Sequence, residues 1–344
     1  MKEKIISIHD FEPVLAAGLG GRARKIEIPR NFLFRALMIV TTALLADDGG
    51  GAAPVYAQDA HLRMMDRVQL KTDADMPINA NHRALVRSVL EPMHGVEDDF
   101  ILDPAAGTIG ADHTIVHTTR IPFCDETPGT SKTAQVATML RSWARKTLDF
   151  SIFTPANVDE MLVNGAGGVV TLTELEYRVY AHVYELTSAE QAMFDKSTKD
   201  QLRMIDDFEQ IAAARAYAPF LNKDLDRGEQ VLSIGLMATD DGVRDPLQIE
   251  TVGLQLANLP NLPEAIPTAL LKSMNVLERR YDAPDGIYWI DLDGERSHAS
   301  APKTTNLEQF RLPYSAAGPA GAPGTFAGLN LVMLERGNAK YVGG

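Results

Sequence analysis

Apolar and polar positions alternate over short stretches through most of this chain. Lys25-Ile26-Glu27-Ile28 alternates up to Pro29, and Met65 to Leu70 repeats the pattern, the period-two signature of half-buried strands. Leu33 to Leu45 is an apolar run broken by Arg35, which reads as a strand buried on both faces. Leu148 to Phe153 and the alternating stretch Val169 to Tyr184 add two more strands; Leu329 to Leu334 closes the chain with another. Aromatic strand candidates stand at Phe100-Ile101-Leu102 and at Ile287-Tyr288-Trp289-Ile290. Helical spacing is rarer. Leu85, Val86, Val89 and Leu90 predict a helix over 81–91, with Asn81 as cap and Pro92 as stop; a second helix is predicted from Thr268 to Arg280, after Pro267. Thr187 to Leu202 is polar and helix-compatible. Asp47–Pro54, Asp125–Lys132 and Ala316–Gly324 have the composition of flexible loops.

The predicted elements come in two rounds. Ile8-His9-Asp10-Phe11-Glu12 returns as Ile205-Asp206-Asp207-Phe208-Glu209, Leu37-Met38 as Leu236-Met237, and Asp47-Asp48-Gly49 as Asp240-Asp241-Gly242. Ala84-Leu85-Val86-Arg87-Ser88 with Val89-Leu90-Glu91 returns as Ala269-Leu270-Leu271-Lys272-Ser273 with Val276-Leu277-Glu278. Arg120-Ile121-Pro122-Phe123 matches Arg311-Leu312-Pro313-Tyr314, and a flexible tract follows each. The matches keep one order, at offsets between 185 and 199 residues, so the repeated unit is a whole domain. A chain of 344 residues also exceeds what one core usually fills.

Many short strands, one short helix per unit and Gly/Pro-rich loops favour β-sandwiches over a βαβ sheet. Each half has the length of an eight-stranded jelly roll. The expected fold is all-β: two tandem eight-stranded jelly rolls, each with a short helix. The expected division is an N-terminal basic arm over 1–24, a first jelly roll over 25–186, a linker over 187–205 and a second jelly roll over 206–344.

With this order of elements, and with the aromatic strand leading into Asp291-Leu292-Asp293-Gly294, the chain resembles the double jelly-roll major capsid proteins of tailless icosahedral viruses. That lineage includes tectivirus and corticovirus coats and, more distantly, the adenovirus hexon, and many of its viruses carry an internal membrane. The resemblance covers nearly the whole chain but rests on architecture, so no functional residue carries over by position. It implies a homotrimer whose six jelly rolls imitate a hexagon, tiles of such trimers paving the virion shell, and assembly in the host cytoplasm. It also implies penton or minor capsid proteins as partners, and an N-terminal segment facing inward, near the membrane where one is present. Bacteriophages are among the implied hosts' viruses.

Composition refines this picture. A formal charge of −13 argues against a surface that coats nucleic acid, which needs clustered Lys and Arg, and no sequence-specific nucleic acid partner is expected. Residues 1–35 are the local exception, with Lys2, Lys4, Arg22, Arg24, Lys25, Arg30 and Arg35 outnumbering the acids. Such a segment suits anionic headgroups, or serves as a solvated or trimer-contact arm. The apolar run from Leu33 to Ala46 is too short for a membrane-spanning helix, and no secretory signal is expected.

Candidate chemistry is thin. His113 and His117 share a strand face at i and i+4, yet lack the His-x-His of a cupin metal site. Gly18–Gly21 and Gly165–Gly168 lack phosphate-loop spacing and read as loops. Cys124, the single cysteine, has no nucleophile signature around it. Asp98-Asp99, Asp206-Asp207 and Asp240-Asp241 read as solvated turns or caps, with calcium as the alternative. Trp143 and Trp289 read as core or trimer-seam residues. No catalytic, cofactor or metal residue is therefore assigned, and no enzyme is expected. Two other readings stay open: a glycan- or receptor-binding spike β-sandwich, and a bicupin-type metalloenzyme.

Overall fold

The computed structural model describes residues 2–12, 14, 20–47, 55–94, 113–156, 162–163, 170–196, 200–217, 223–225, 230–245, 248–256, 265–307, 310–320 and 327–338. Among the described residues, the longer strands of the first half are β1 (Lys2–Asp10), β2 (Ala23–Glu27), β3 (Phe32–Asp47), β4 (Arg67–Thr72), β5 (Ile78–Asn81), β6 (His113–Pro122), β7 (Leu148–Phe153) and β8 (Val170–Glu185). They pair in the orders β1-β8-β3-β6 and β2-β7-β4-β5.

The second half repeats this with β9 (Asp200–Ile211), β10 (Lys223–Asp224), β11 (Gln230–Asp240), β12 (Ile249–Val252 and Gln255–Leu256), β13 (Ile266–Pro267), β14 (Ile287–Asp291), β15 (Phe310–Leu312 and Tyr314–Ala316) and β16 (Ala327–Asn338). Pairing follows β9-β16-β11-β14 and, across the broken strands, β10-β15-β12-β13. Numbered within each half, both orders are 1-8-3-6 and 2-7-4-5, so the duplication is a duplication of jelly-roll topology. Pro313 interrupts β15 because proline has no N–H for the ladder.

Alternation explains the long strands. On β3, Leu37, Ile39, Ala43 and Leu45 are buried in the core, while Met38, Val40, Thr42 and Leu44 between them are only half-buried. The apolar run read as buried on both faces therefore has one core face and one outer face. Among the described residues no helix is long and apolar enough to cross a membrane.

Helix α1 begins at His82, and Asn81 caps it as expected by accepting a hydrogen bond from the Ala84 amide at 3.1 Å. Pro92 does not end it. The α-helical turn His82–Leu85 passes into a π-helical turn over Val86–Leu90, and α-helix resumes over Glu91–His94. Pro92 thus falls in the first turn of the resumed segment, where its missing N–H breaks no α-helical bond. Three further helices are α2 (Lys132–Thr138), α3 (Ser188–Lys196) and α4 (Thr268–Arg279). A reciprocal cap opens α3: Glu190 accepts from the Thr187 amide at 2.8 Å while Thr187 Oγ1 accepts from the Glu190 amide at 3.3 Å.

Three sequence expectations need correction. Lys2–Asp10, assigned to the arm, pairs along β8 from Lys2↔Glu185 to Asp10↔Arg178, and its lysines take strand-edge positions. In the expected linker only α3 connects the halves, since Asp200 onward pairs with β16. The Arg-x-Pro-aromatic match joins unlike strands, the end of β6 in one half and β15 in the other, so it and the loops after it are coincidence. Phe100–Leu102, Asp98-Asp99 and Gly165–Gly168 lie outside the described residues.

Candidate functional site: the junction between the halves

The two jelly rolls are fused by backbone pairing. β5 and β9 pair in parallel, Met204↔Ile78 and Ile205↔Asn79, which joins the β2-β7-β4-β5 sheet to the β9-β16-β11-β14 sheet. Asp206 locks this seam: it takes both Arg67 guanidinium nitrogens at 2.8 and 3.0 Å and the Asn81 amide at 2.8 Å. Asp206 is therefore a strand residue in a bidentate pair, and the expectation of a solvated turn fails for it. Asp241 and Gly242, with φ of 48° and 76°, do form a tight turn after β11.

Above the seam, α1 packs against β11, β14 and β16 of the second half. Leu85, Val89 and Met93 share one apolar cluster with Met237, Ile287 and Val332. Gly235 marks the closest approach, since a Cβ there would lie 2.2 Å from the Ser88 carbonyl oxygen. Only glycine lets the helix backbone come this near the sheet.

Beside that apolar contact lies a buried ionic network. Asp59, fully buried at φ 58°, receives Arg83 Nε at 2.7 Å, Arg87 Nη2 at 2.9 Å and Arg244 Nε at 2.8 Å. Arg87 also reaches Glu91 at 2.6 Å, and the Tyr281 hydroxyl donates to Glu91 at 3.1 Å. Arg244 and Tyr281 come from the second half, so the network spans the junction. Burial alone would raise the Asp59 pKa, but the three guanidiniums hold it far below the carboxylate range. Burial lowers Arg83 to about 10 against the pull of Asp59. Arg83, Arg87 and Glu91 recur at i, i+4 and i+8, a charged stripe on the predicted helix that sequence reading passed over.

Next to Arg87 is a histidine cluster. The His61 and His117 rings lie 5.0 Å apart, and His82 lies 6.2 Å from His117. His82 bonds to the Leu62 carbonyl at 2.8 Å and to Thr119 Oγ1 at 2.7 Å. Burial lowers His61 and His82 to about 4 and lowers His117 as well. His117 thus faces other histidines inside the first half.

A second polar cluster ties the loop after β6 to the loop after β14. Asp125, Asp293 and His298 are buried and place one ligand atom each within 4.8 Å of one another. Each carboxylate oxygen nevertheless has a protein donor. Asp125 Oδ1 takes Thr127 N at 3.0 Å, and Asp125 Oδ2 takes Thr130 Oγ1 at 3.0 Å and pairs with His298 Nε2 at 3.1 Å. Asp293 takes Ser300 Oγ at 2.8 Å and His298 N at 3.0 Å. Hydrogen bonding accounts for this cluster as an inter-loop clasp. The residue types and burial are those of a metal site, and in the sequence only Asp291-Leu292-Asp293-Gly294 marks the place.

The remaining candidates are structural. Cys124 is buried and its thiol is pushed up to about 12 by burial and by Glu126, which removes nucleophilic character at neutral pH. The amides of Gly20 and Gly21 bond to the Pro155 carbonyl in a loop. Trp289 is buried, and Trp143 donates to Asp195 at 3.0 Å, fixing α3.

Comparison with known proteins agrees with this topology. No protein-family model matches the chain, and no curated protein matches it. Solved structures do. The chain is similar to the STIV MCP of Sulfolobus turreted icosahedral virus, with a TM-score of 0.74 at 10% identity over 99% of this chain and 98% of that one. It is similar to the major capsid protein P2 of bacteriophage PM2, with a TM-score of 0.59 at 10% identity over the whole of both chains. A third similar structure is PBCV-1 VP54, with a TM-score of 0.64 at 12% identity over 97% of this chain and 94% of that one. The chain therefore has the double jelly-roll fold of these viral capsid proteins, along its whole length.

Proposed function

We propose that this protein is the major building block of an icosahedral virion shell, acting as a homotrimer whose six jelly rolls form a pseudo-hexagonal tile. The observation that carries the reading is the junction. Two jelly rolls of one topology are held in fixed relation by a shared sheet, a helix-on-sheet contact and a buried ionic network. Rigid fusion is what a tile needs, because a flexible pair of domains would not keep lattice geometry. The similarity of the fold to viral capsid proteins supports a virion location and self-association. The division into two jelly-roll domains joined around α3 belongs to the same reading, as do a non-catalytic role and contact with minor capsid proteins.

Membrane contact takes a changed form. Lys2 and Lys4 sit on the exposed strand β1, where Lys4 pairs with Glu185, while Arg22, Lys25 and Arg30 lie around β2, where Lys25 meets Asp149 at 2.8 Å and Arg30 meets Glu27 at 3.5 Å. Basic side chains carried on strands, each beside an acidic partner in the case of Lys4, Lys25 and Arg30, take the place of the free arm as the surface offered to anionic lipid. Light scattering on the purified protein tests the reading. The expected particle is three times the 37.5 kDa chain; a stable monomer at micromolar concentration contradicts it.

A further inference from the structure

The duplicated helices differ in what covers them. Every residue from His82 to Met93 on α1 is buried, largely against the second half. On α4 the seam facing its own domain is Thr268, Leu271 and Asn275, all buried. The opposite side exposes Leu270 at 52%, Met274 at 40% and Leu277 at 83%. These lie at i, i+4 and i+7, one stripe along the helix. In the repeat, Leu270 and Leu277 correspond to Leu85 and Leu90, which are buried in the cluster that spans the junction.

The surface that receives α1 is also duplicated. It is the outer face of the β9-β16-β11-β14 sheet, where Met237 is buried in the junction cluster. Its counterpart is the outer face of β1-β8-β3-β6, where Met38 corresponds to Met237. That face presents Met38, Val40 and Thr42, half-buried, and Val116, 46% exposed, with Thr42 opposite Val116 in the ladder; Arg120 stands opposite Met38, and Arg178 and Glu176 stand opposite Val40 and Thr42, so the apolar strip is bordered by charge. Within one chain, then, one helix and one sheet face are matched to each other, and the topologically equivalent helix and sheet face are left over.

We propose that the leftover pair meets between copies: α4 docks through Leu270, Met274 and Leu277 onto the outer face of β3 and β6 of a second copy, at Met38, Val40 and Val116. The contact is heterologous, helix to sheet, as it is inside the chain. Repetition of a heterologous contact closes a ring when the rotation permits and otherwise grows a filament. Three chains would alternate internal and intermolecular helix-on-sheet contacts around one ring. The inference rests on the trimer reading and adds which surfaces make the trimer.

Leu277→Glu together with Leu270→Glu tests the helix side, and Val116→Glu tests the sheet side independently. All three positions are solvent-facing in the single chain, so far-UV circular dichroism should match the parent. Met193→Glu, at an exposed position on α3, serves as control. By light scattering the parent and the control should have the mass of three chains, and both test variants should fall to one. A three-chain parent whose mass survives both sets of substitutions overturns the docking and leaves the trimer standing. A monomeric parent overturns the docking and the trimer together.

Discussion

Asp59 illustrates how single residues hold the junction. Its carboxylate is the common acceptor for Arg83, Arg87 and Arg244, and among the described residues Glu91, beyond Arg87, is the other carboxylate paired within this group. Asp59→Asn keeps the shape and removes the charge, leaving buried guanidiniums uncompensated. The expected loss is about 3–5 kcal/mol in urea denaturation, the range for breaking one partner of a buried pair. The histidines predict the acid limit. His61 and His82 have folded pKa values near 4, below the unfolded value near 6.5. Their neutral forms are the ones the fold accepts, so stability is whole above pH 6.5 and drains as pH falls toward 4. The loss reaches about 3 kcal/mol for each imidazole at the lower end. Thermal midpoints measured from pH 7.5 to 4.5 should fall, and His61→Leu should flatten the slope. A midpoint independent of pH across that window would refute the assignment. Asp59 acts lower still: its stabilising contribution is whole above the ordinary carboxylate pKa near 3.8 and drains as pH falls below that toward its depressed folded value. None of this was visible in sequence, because Asp59 meets Arg83, Arg87 and Arg244, and His61 meets His117, only once the chain has folded.

At the scale of elements, the sequence was legible wherever periodicity was long. The strands over 33–45 and 169–184 and the helix after Pro267 stand close to where the pattern put them. Its failures have local causes. Pro92 reads as a stop until the π-helical turn before it is known. Strands such as Lys223–Asp224 and Ile266–Pro267 are too short to carry a period, and the broken β12 and β15 hide the second sheet of the second jelly roll. The Arg-x-Pro-aromatic match misled because four residues repeat by chance in a chain this long, whereas the matches on β3 with β11 and on α1 with α4 fell on equivalent elements. Gly235 offers a test of the helix-on-sheet contact. Gly235→Ala places a methyl against the Ser88 carbonyl and must push α1 off the sheet, so the expected cost is about 1–3 kcal/mol by thermal or urea unfolding. An alanine variant as stable as the parent would mean that α1 does not press on β11 as described.

For the whole molecule, the two-domain length, the repeat and the many short strands pointed to two tandem jelly rolls, and the strand orders bear this out. What sequence could not supply was the relation between the halves, since it depends on contacts between residues roughly 130 to 190 positions apart, such as Asp206 with Arg67 and Tyr281 with Glu91. That relation supports the central claim that the chain is a rigid tile component. Electron microscopy of the purified protein tests this most directly. The account predicts particles of three chains with a six-lobed, pseudo-hexagonal outline and true three-fold symmetry. Isolated two-lobed monomers, with no three-fold class at micromolar concentration, would contradict it.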